Sequence, residues 1–158
     1  MKKTNAMRLL DQKKVEYKTT EYKVDEADLS ATHAAKMLGV DVKLVYKTLV
    51  LRAKNGDILI ACIPGAEEID LKALAKTSGH KKIEMIKMKE LLGLTGYIRG
   101  GVSPLGMKKQ YKTYLEESMF ELENIYFSAG ERGKQIYMSP SKLEKVLNAK
   151  RGSFVIKK

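Results

Sequence analysis

The sequence predicts an α+β fold: a single domain over residues 1–158, built on a curved, mixed but mostly antiparallel, barrel-like sheet flanked by short helices. Three observations lead there. Two pairs of strand-like runs are each joined by a turn signal, Asn55-Gly56-Asp57 in one and Ala129-Gly130-Glu131-Arg132-Gly133 in the other. Short stretches of helical periodicity open on capping residues at Thr4, Ser30 and Asp70, and two of them close on Gly39 and Gly79. A chain of 158 residues with 44% hydrophobic content furnishes one ordinary core.

Taken in order, Thr4 caps a first helix with Ala6, Met7, Leu9 and Leu10 turned inward. Val15, Tyr17 and Thr19 then alternate with polar residues in a strand ending near Tyr22. Ser30 caps a helix that runs to Leu38, and Asp41 caps one further turn. Residues 46–53 and 58–63 are β-branched arms around Asn-Gly and form the clearest hairpin in the chain. Asp70 caps a helix through Ser78, and another helix spans residues 87–92 before Gly93. Residues 97–106 form a turn-rich loop, residues 124–128 and 134–138 a second hairpin, and Ser139-Pro140 starts a last helix ending at Leu147. Hairpins without long crossovers imply antiparallel pairing for most of the sheet.

Thirty Lys and Arg against 19 Asp and Glu give a net charge of +11. Such a field raises the encounter rate with nucleic acid or phosphate ligands, and it serves equally as a solubilising coat. Arg8 and Asp11 interrupt any signal-peptide core. The longest apolar run, Ile58 to Ala66, is broken by Pro64 and Gly65 and falls far short of the roughly 20 residues of a spanning helix. A soluble cytoplasmic chain without membrane contact is therefore expected. Cys62 is the only cysteine, which excludes an internal disulfide and a cysteine-based zinc site.

A conventional catalyst pairs a nucleophile with a base, and the chain has only His33 and His80 to offer. No acidic residue or metal-ligand spacing accompanies either, so His33 reads as a helix-surface residue and His80 as a loop residue. Cys62, within Ile-Ala-Cys-Ile-Pro, reads as a small buried hydrophobe. No metal or cofactor is expected. Three constellations are left. Lys47 sits in the apolar strand Val45-Tyr46-Lys47-Thr48-Leu49-Val50-Leu51; it is either a cleft cation for a phosphate or polarised carbonyl, or a snorkelling strand-end lysine. Gly100-Gly101-Val102-Ser103-Pro104-Leu105-Gly106 can turn backbone N–H groups toward an anion, or be a plain turn. Ser128-Ala129-Gly130-Glu131-Arg132-Gly133 offers a hydroxyl and a guanidinium at a hairpin tip, or simply a hairpin loop.

Together and in this order, Tyr46-Lys47-Thr48-Leu49, then Thr95-Gly96-Tyr97 leading into the Gly-Gly-Val-Ser-Pro-Leu-Gly loop, then Ser128-Ala129-Gly130-Glu131-Arg132-Gly133, resemble the YbaK/EbsC family over nearly the whole chain. The resemblance implies a trans-editing deacylase that removes cysteine from tRNA(Pro), and from tRNA(Cys), beside prolyl-tRNA synthetase. That synthetase mischarges cysteine because cysteine is close to proline in size; a methylene-scale difference yields only about 1–3 kcal/mol of discrimination, so a second site is physically reasonable. By the same resemblance Lys47 is the essential lysine, Tyr22 a pocket tyrosine, and Gly100, Gly101 and Ser103 the loop against the aminoacyl end. Ser128, Gly130 and Arg132 correspond to the opposite wall. The implied chemistry uses the substrate's own thiol, which attacks the ester carbonyl and releases tRNA and a cyclic thiolactone. Two alternatives stay open: an Ala-tRNA(Pro) deacylase working through water, and a non-catalytic nucleotide- or tRNA-binding regulator of the EbsC type.

Overall fold

The computed structural model describes residues 2–157; the two end residues of the expected 1–158 unit lie outside them. Among the described residues, five α-helices and eight strands follow the α+β expectation. Helix α1 (Asn5–Gln12) starts where the Thr4 hydroxyl accepts the Met7 N–H at 3.3 Å. Ser30 does the same for α2 (Ala31–Leu38), accepting the His33 N–H at 3.1 Å, and Asp70 for α3 (Leu71–Ser78), accepting the Ala73 N–H at 3.0 Å. Each such cap satisfies a backbone donor that the helix cannot satisfy itself, an effect of about 1 kcal/mol. Gly39 and Gly79 end α2 and α3 in the left-handed region, with φ of 70° and 77°.

The first hairpin consists of β2 (Tyr46–Ala53) and β3 (Ile58–Pro64), antiparallel with Lys47 opposite Ile63 and Thr48 opposite Cys62. The second is β6 (Ile125–Ser128) with β7 (Lys134–Met138), followed by α5 (Pro140–Leu147). Strand β1 (Lys18–Glu21) pairs antiparallel with β7, so Thr20, Gln135 and Ser128 lie abreast across three strands. Their side chains share one face of that sheet.

The expected mixed, mostly antiparallel strand pairing is present, but it is divided in two and not closed into a barrel. There are two sheets: one of three strands in the order β1-β7-β6, and one of five in the order β4-β2-β3-β5-β8. They are tied by an isolated parallel bridge between Val45 and Tyr126. The inference from hairpins also missed long crossovers, because β5 (Lys112–Glu116) runs parallel to β3 and β8 (Lys150–Gly152) parallel to β5. These strands escaped the sequence reading because their apolar signal is weak. Thr113 and Glu116 of β5 are buried polar residues, and the Glu116 carboxylate holds the Phe154 N–H at 2.8 Å. Strand β4 (Ile83–Met85) is only three residues long.

The expected helix over residues 87–92 is also revised. A 3-10 turn, Met88–Glu90, leads into α4 (Leu91–Thr95), which runs through Gly93 and stops at Gly96, φ 84°. Gly93 costs the helix about 1 kcal/mol relative to alanine but does not end it. Termination comes from Thr95, whose hydroxyl donates to the Leu91 carbonyl at 2.8 Å and accepts the Tyr97 N–H at 3.0 Å.

Two cores result. Met7, Leu10, Leu115, Phe127, Ile136 and Leu143 pack α1 and α5 against the three-stranded sheet and β5. Leu51, Leu59, Ile63, Leu74 and Phe154 join α3 to the five-stranded sheet. Among the described residues, no helix is long and apolar enough to cross a membrane.

Candidate active site

The cleft opens between the two sheets, with residues 45–50 of the β2 segment on one side and Tyr22, Ser128 and Gln135 on the other. Its volume is about 410 Å³, the size range of small-ligand sites. Leu29, Ala31 and Ala34 of the α2 region, Met85 at the end of β4 with Ile86 and Met88 beyond it, and Arg99, Gly100 and Val102 of the glycine loop complete most of the wall. Lys47 and Arg99 are its two charged residues. No aspartate, glutamate, histidine or cysteine lines the cleft among the described residues.

Lys47 is held near the start of a strand paired on both sides in the order β4-β2-β3. Burial pushes its ammonium below the ordinary lysine value of 10.5, and the through-space pull of Glu68 and Glu67 offsets this only in part. A cation in such surroundings acts strongly on any anion beside it, because little water screens the pair.

Four of the sequence-predicted residues, Lys47, Tyr22, Gly100 and Ser128, come together on the cleft wall. The other four stand behind it. Gly101 donates its N–H to the Ile98 carbonyl at 2.9 Å, and a side chain there would come within 3.1 Å of the Arg132 nitrogen, so its smallness lets the two loops touch. Arg132 donates its Nε–H to the Arg99 carbonyl at 2.8 Å, with Glu26 at 3.9 Å from its guanidinium, and thereby pins the glycine loop from outside. Ser103 is fully buried and accepts the Leu105 N–H at 3.3 Å. Gly130, φ 101°, lies on the Tyr97 ring, where an added carbon would approach Cε1 to 2.7 Å, and its N–H is held by the Ser128 hydroxyl at 3.1 Å. Tyr97 itself donates to the Leu105 carbonyl at 2.6 Å.

Three residues on or beside the cleft wall were not foreseen: Arg99, already placed on it, and two others. Gln135 lines the cleft, is only 6% exposed, and keeps its side-chain carbonyl oxygen without a hydrogen-bond partner. A buried acceptor left unpaired costs about 1–3 kcal/mol and marks a place where a donor is wanted. His33 was read as a surface residue; instead its Nε2 is buried and unpartnered, Asp28 lies 3.9 Å from its Nδ1, and its ring stands edge-on to Tyr22 at 6.4 Å. Burial raises the Tyr22 phenol, with a hydrogen bond from the Gln135 side chain acting in the opposite sense. Neither residue carries a motif, since their meaning comes from which strand and helix face they occupy. Cys62 is buried at the strand centre and its thiol is pushed up to about 12, which leaves it unreactive. Among the described residues, no cluster of three or more His, Cys, Asp or Glu is placed to hold a metal ion.

Comparison with known proteins is consistent in direction. The aminoacyl-tRNA editing domain family matches residues 26–146. An Enterococcus faecalis protein named "Putative Cys-tRNA(Pro)/Cys-tRNA(Cys) deacylase EbsC" is 48% identical over 152 residues, covering 96% of this chain and 91% of that protein. A proline–tRNA ligase of Staphylococcus aureus is 27% identical over 104 residues, which are 66% of this chain but 18% of the ligase. A crystal structure described as "a putative trans-editing enzyme for prolyl tRNA synthetase" superposes with a TM-score of 0.86 at 21% identity, covering 97% of this chain and 96% of that one. At that identity the structural likeness speaks for the fold.

Proposed function

The chain belongs to the aminoacyl-tRNA editing domain family, and on that premise we propose that this aminoacyl-tRNA deacylase removes cysteine from tRNA(Pro), and from tRNA(Cys), by a reaction in which the substrate supplies the nucleophile. One observation carries the reading: among the described residues, the cleft wall has two cations and no acidic, histidine or cysteine side chain. Such a wall attracts a phosphate-bearing end and stabilises negative charge, yet brings no strong nucleophile or base of its own.

In this reaction the ester carbonyl of cysteinyl-tRNA sits beside the Lys47 ammonium, with the backbone near Gly100 on the other side. Gln135 takes a hydrogen bond from the α-ammonium through its unpaired carbonyl oxygen, and Arg99 meets the terminal phosphate. The cysteine sulfur attacks the ester carbon, forming the S–C bond and placing negative charge on the carbonyl oxygen, which Lys47 stabilises. Collapse breaks the bond to the ribose oxygen. The thiol proton passes to that oxygen, so free tRNA and a cyclic thiolactone leave. Holding sulfur and carbonyl in contact replaces an encounter, an advantage that reaches roughly 7–11 kcal/mol in favourable cases and is reduced here by strain in a small ring. The setting is the cytoplasm, where tRNA is charged by a synthetase, and prolyl-tRNA synthetase is the partner that supplies the error.

Cys-tRNA(Pro), Cys-tRNA(Cys) and Ala-tRNA(Pro) assayed in parallel, with the amino-acid product identified by mass, test this reading. Cysteine esters consumed to a thiolactone support it. Equal cleavage of an S-methylcysteine ester would remove thiol assistance and favour water, whereas protection of all three esters would make the protein a binder.

A further inference from the structure

Large apolar side chains exposed among the described residues are few, and four of them, Met85, Met88, Leu92 and Ile98, fall in one stretch from the end of β4 to the glycine loop. They are 46%, 61%, 55% and 49% exposed. Met85 and Met88 reach the cleft wall, and Arg99, next to Ile98 in the chain, lines it too. With Ile86 and Leu91 also on the wall, the stretch is a rim that meets the cleft at both ends and near its middle, while Leu92 and Ile98 stand one residue outside it. A concentrated exposed apolar area has a purpose more often than scattered ones do.

Charge narrows what that purpose is. Lys87 and Lys89 flank Met88 and are exposed. The acids of the same stretch have a cation of their own: Glu90 is bound by Arg52 through two contacts, 3.1 and 2.6 Å. Glu84, adjacent to Met85 on β4, lies across from Arg52 and shares its face of the sheet, so the same guanidinium offsets its charge. Flexible apolar side chains with cations between them fit a chain of planar bases joined by phosphates, since bases rest on apolar surface without regard to sequence and the cations meet the backbone.

We propose that this rim seats the unpaired nucleotides that immediately precede the terminal adenosine of tRNA. The proposal rests on the deacylase reading for the identity of the ligand, and it assigns Met88, Leu92 and Ile98 a role in holding the strand while the cleft holds the esterified end. Lys87 and Lys89 neutralise its phosphates.

The test uses uncharged ligands, so that it is independent of any deacylation. Binding of AMP, CpA and CpCpA to the full chain is followed by chemical-shift titration, for the wild type and for a Leu92→Ser/Ile98→Ser variant whose fold is checked by its thermal midpoint. Neither substituted residue lines the cleft, so AMP is the reference and the ratio of affinities is the readout. The wild type is expected to gain roughly tenfold or more from AMP to CpCpA, and the variant to lose that gain. A wild type indifferent to length, or a variant that retains the gain, would overturn the proposal. So would a variant defect seen only when prolyl-tRNA synthetase is added, which would make the rim a protein-docking face. Should no cysteine ester be cleaved while the length-dependent gain persists, the deacylase reading fails and the nucleotide rim stands.

Discussion

Lys47 matters because its environment sets both its charge and its reach. Burial favours loss of its proton, so its charge disappears at a lower pH than that of an ordinary lysine. Deacylation that needs the ammonium is accordingly expected to decline on the alkaline side before the ordinary lysine value of 10.5, once spontaneous ester loss is subtracted. Glu68→Gln removes an anion that favours the charged form, so the pH-rate profile of that variant is expected to break at lower pH; an unmoved break would detach Lys47 from the profile. Lys47→Ala is expected to lower kcat about 10²–10³-fold, the usual effect of removing a donor that stabilises an oxyanion, measured in single turnover on a variant with unchanged circular dichroism. Gln135 supplies a different kind of test. Gln135→Met keeps the volume and removes both the unpaired acceptor and the amide donor to Tyr22, so it is expected to leave protein stability little changed while raising KM for cysteine esters about tenfold. An N-acetylcysteinyl ester, which lacks the ammonium, should not feel the change.

At the level of elements, the glycine loop and the tip of the second hairpin form one interlocked unit around Tyr97. Gly106 shows how little freedom that unit has. An added carbon there would lie 2.8 Å from the Ala6 nitrogen, from the Asn5 carbonyl carbon and from the Tyr97 hydroxyl, at φ 75°. Gly106→Ala is therefore expected to cost roughly 2–5 kcal/mol, combining left-handed strain with overpacking against backbone that cannot yield. Gly96→Ala carries similar strain at φ 84° but meets only the flexible Lys108 side chain at 3.1 Å, so a smaller drop in thermal midpoint is expected from it. The capped helices and both hairpins were legible in sequence, because a cap or an Asn-Gly turn is a local signal read within a few residues. Strands β4, β5 and β8 were not, because their stability comes from partners far along the chain and their own residues say little. The site divides the same way. Lys47 and the glycine loop announce themselves by motif, while Gln135 and His33 acquire meaning only when β7 is laid beside β1 and α2 is folded over Tyr22.

At the level of the whole molecule, a net charge of +11 is consistent with attraction to a polyanion, and its effect is measurable apart from the cleft. KM for cysteinyl-tRNA is expected to rise steeply with salt, as counterion release requires, while KM for a cysteinyl ester of adenosine should vary far less. Equal salt dependence of the two would make the charge a solubilising coat and nothing more. The division into two sheets was beyond the reach of local reading, since it depends on β2 and β6 touching at one bridge and then parting. That parting creates the space in which Lys47 faces the second hairpin.

The wall of that space has a further meaning for a cell full of correctly charged tRNA. If the substrate supplies the nucleophile as proposed, a reaction vessel that lends only electrostatic help is harmless to a visitor with no internal attacker, and a prolyl ester is expected to enter, fail to react and leave intact. On that proposal, fidelity at tRNA(Pro) depends less on excluding proline than on cysteine carrying the means of its own removal.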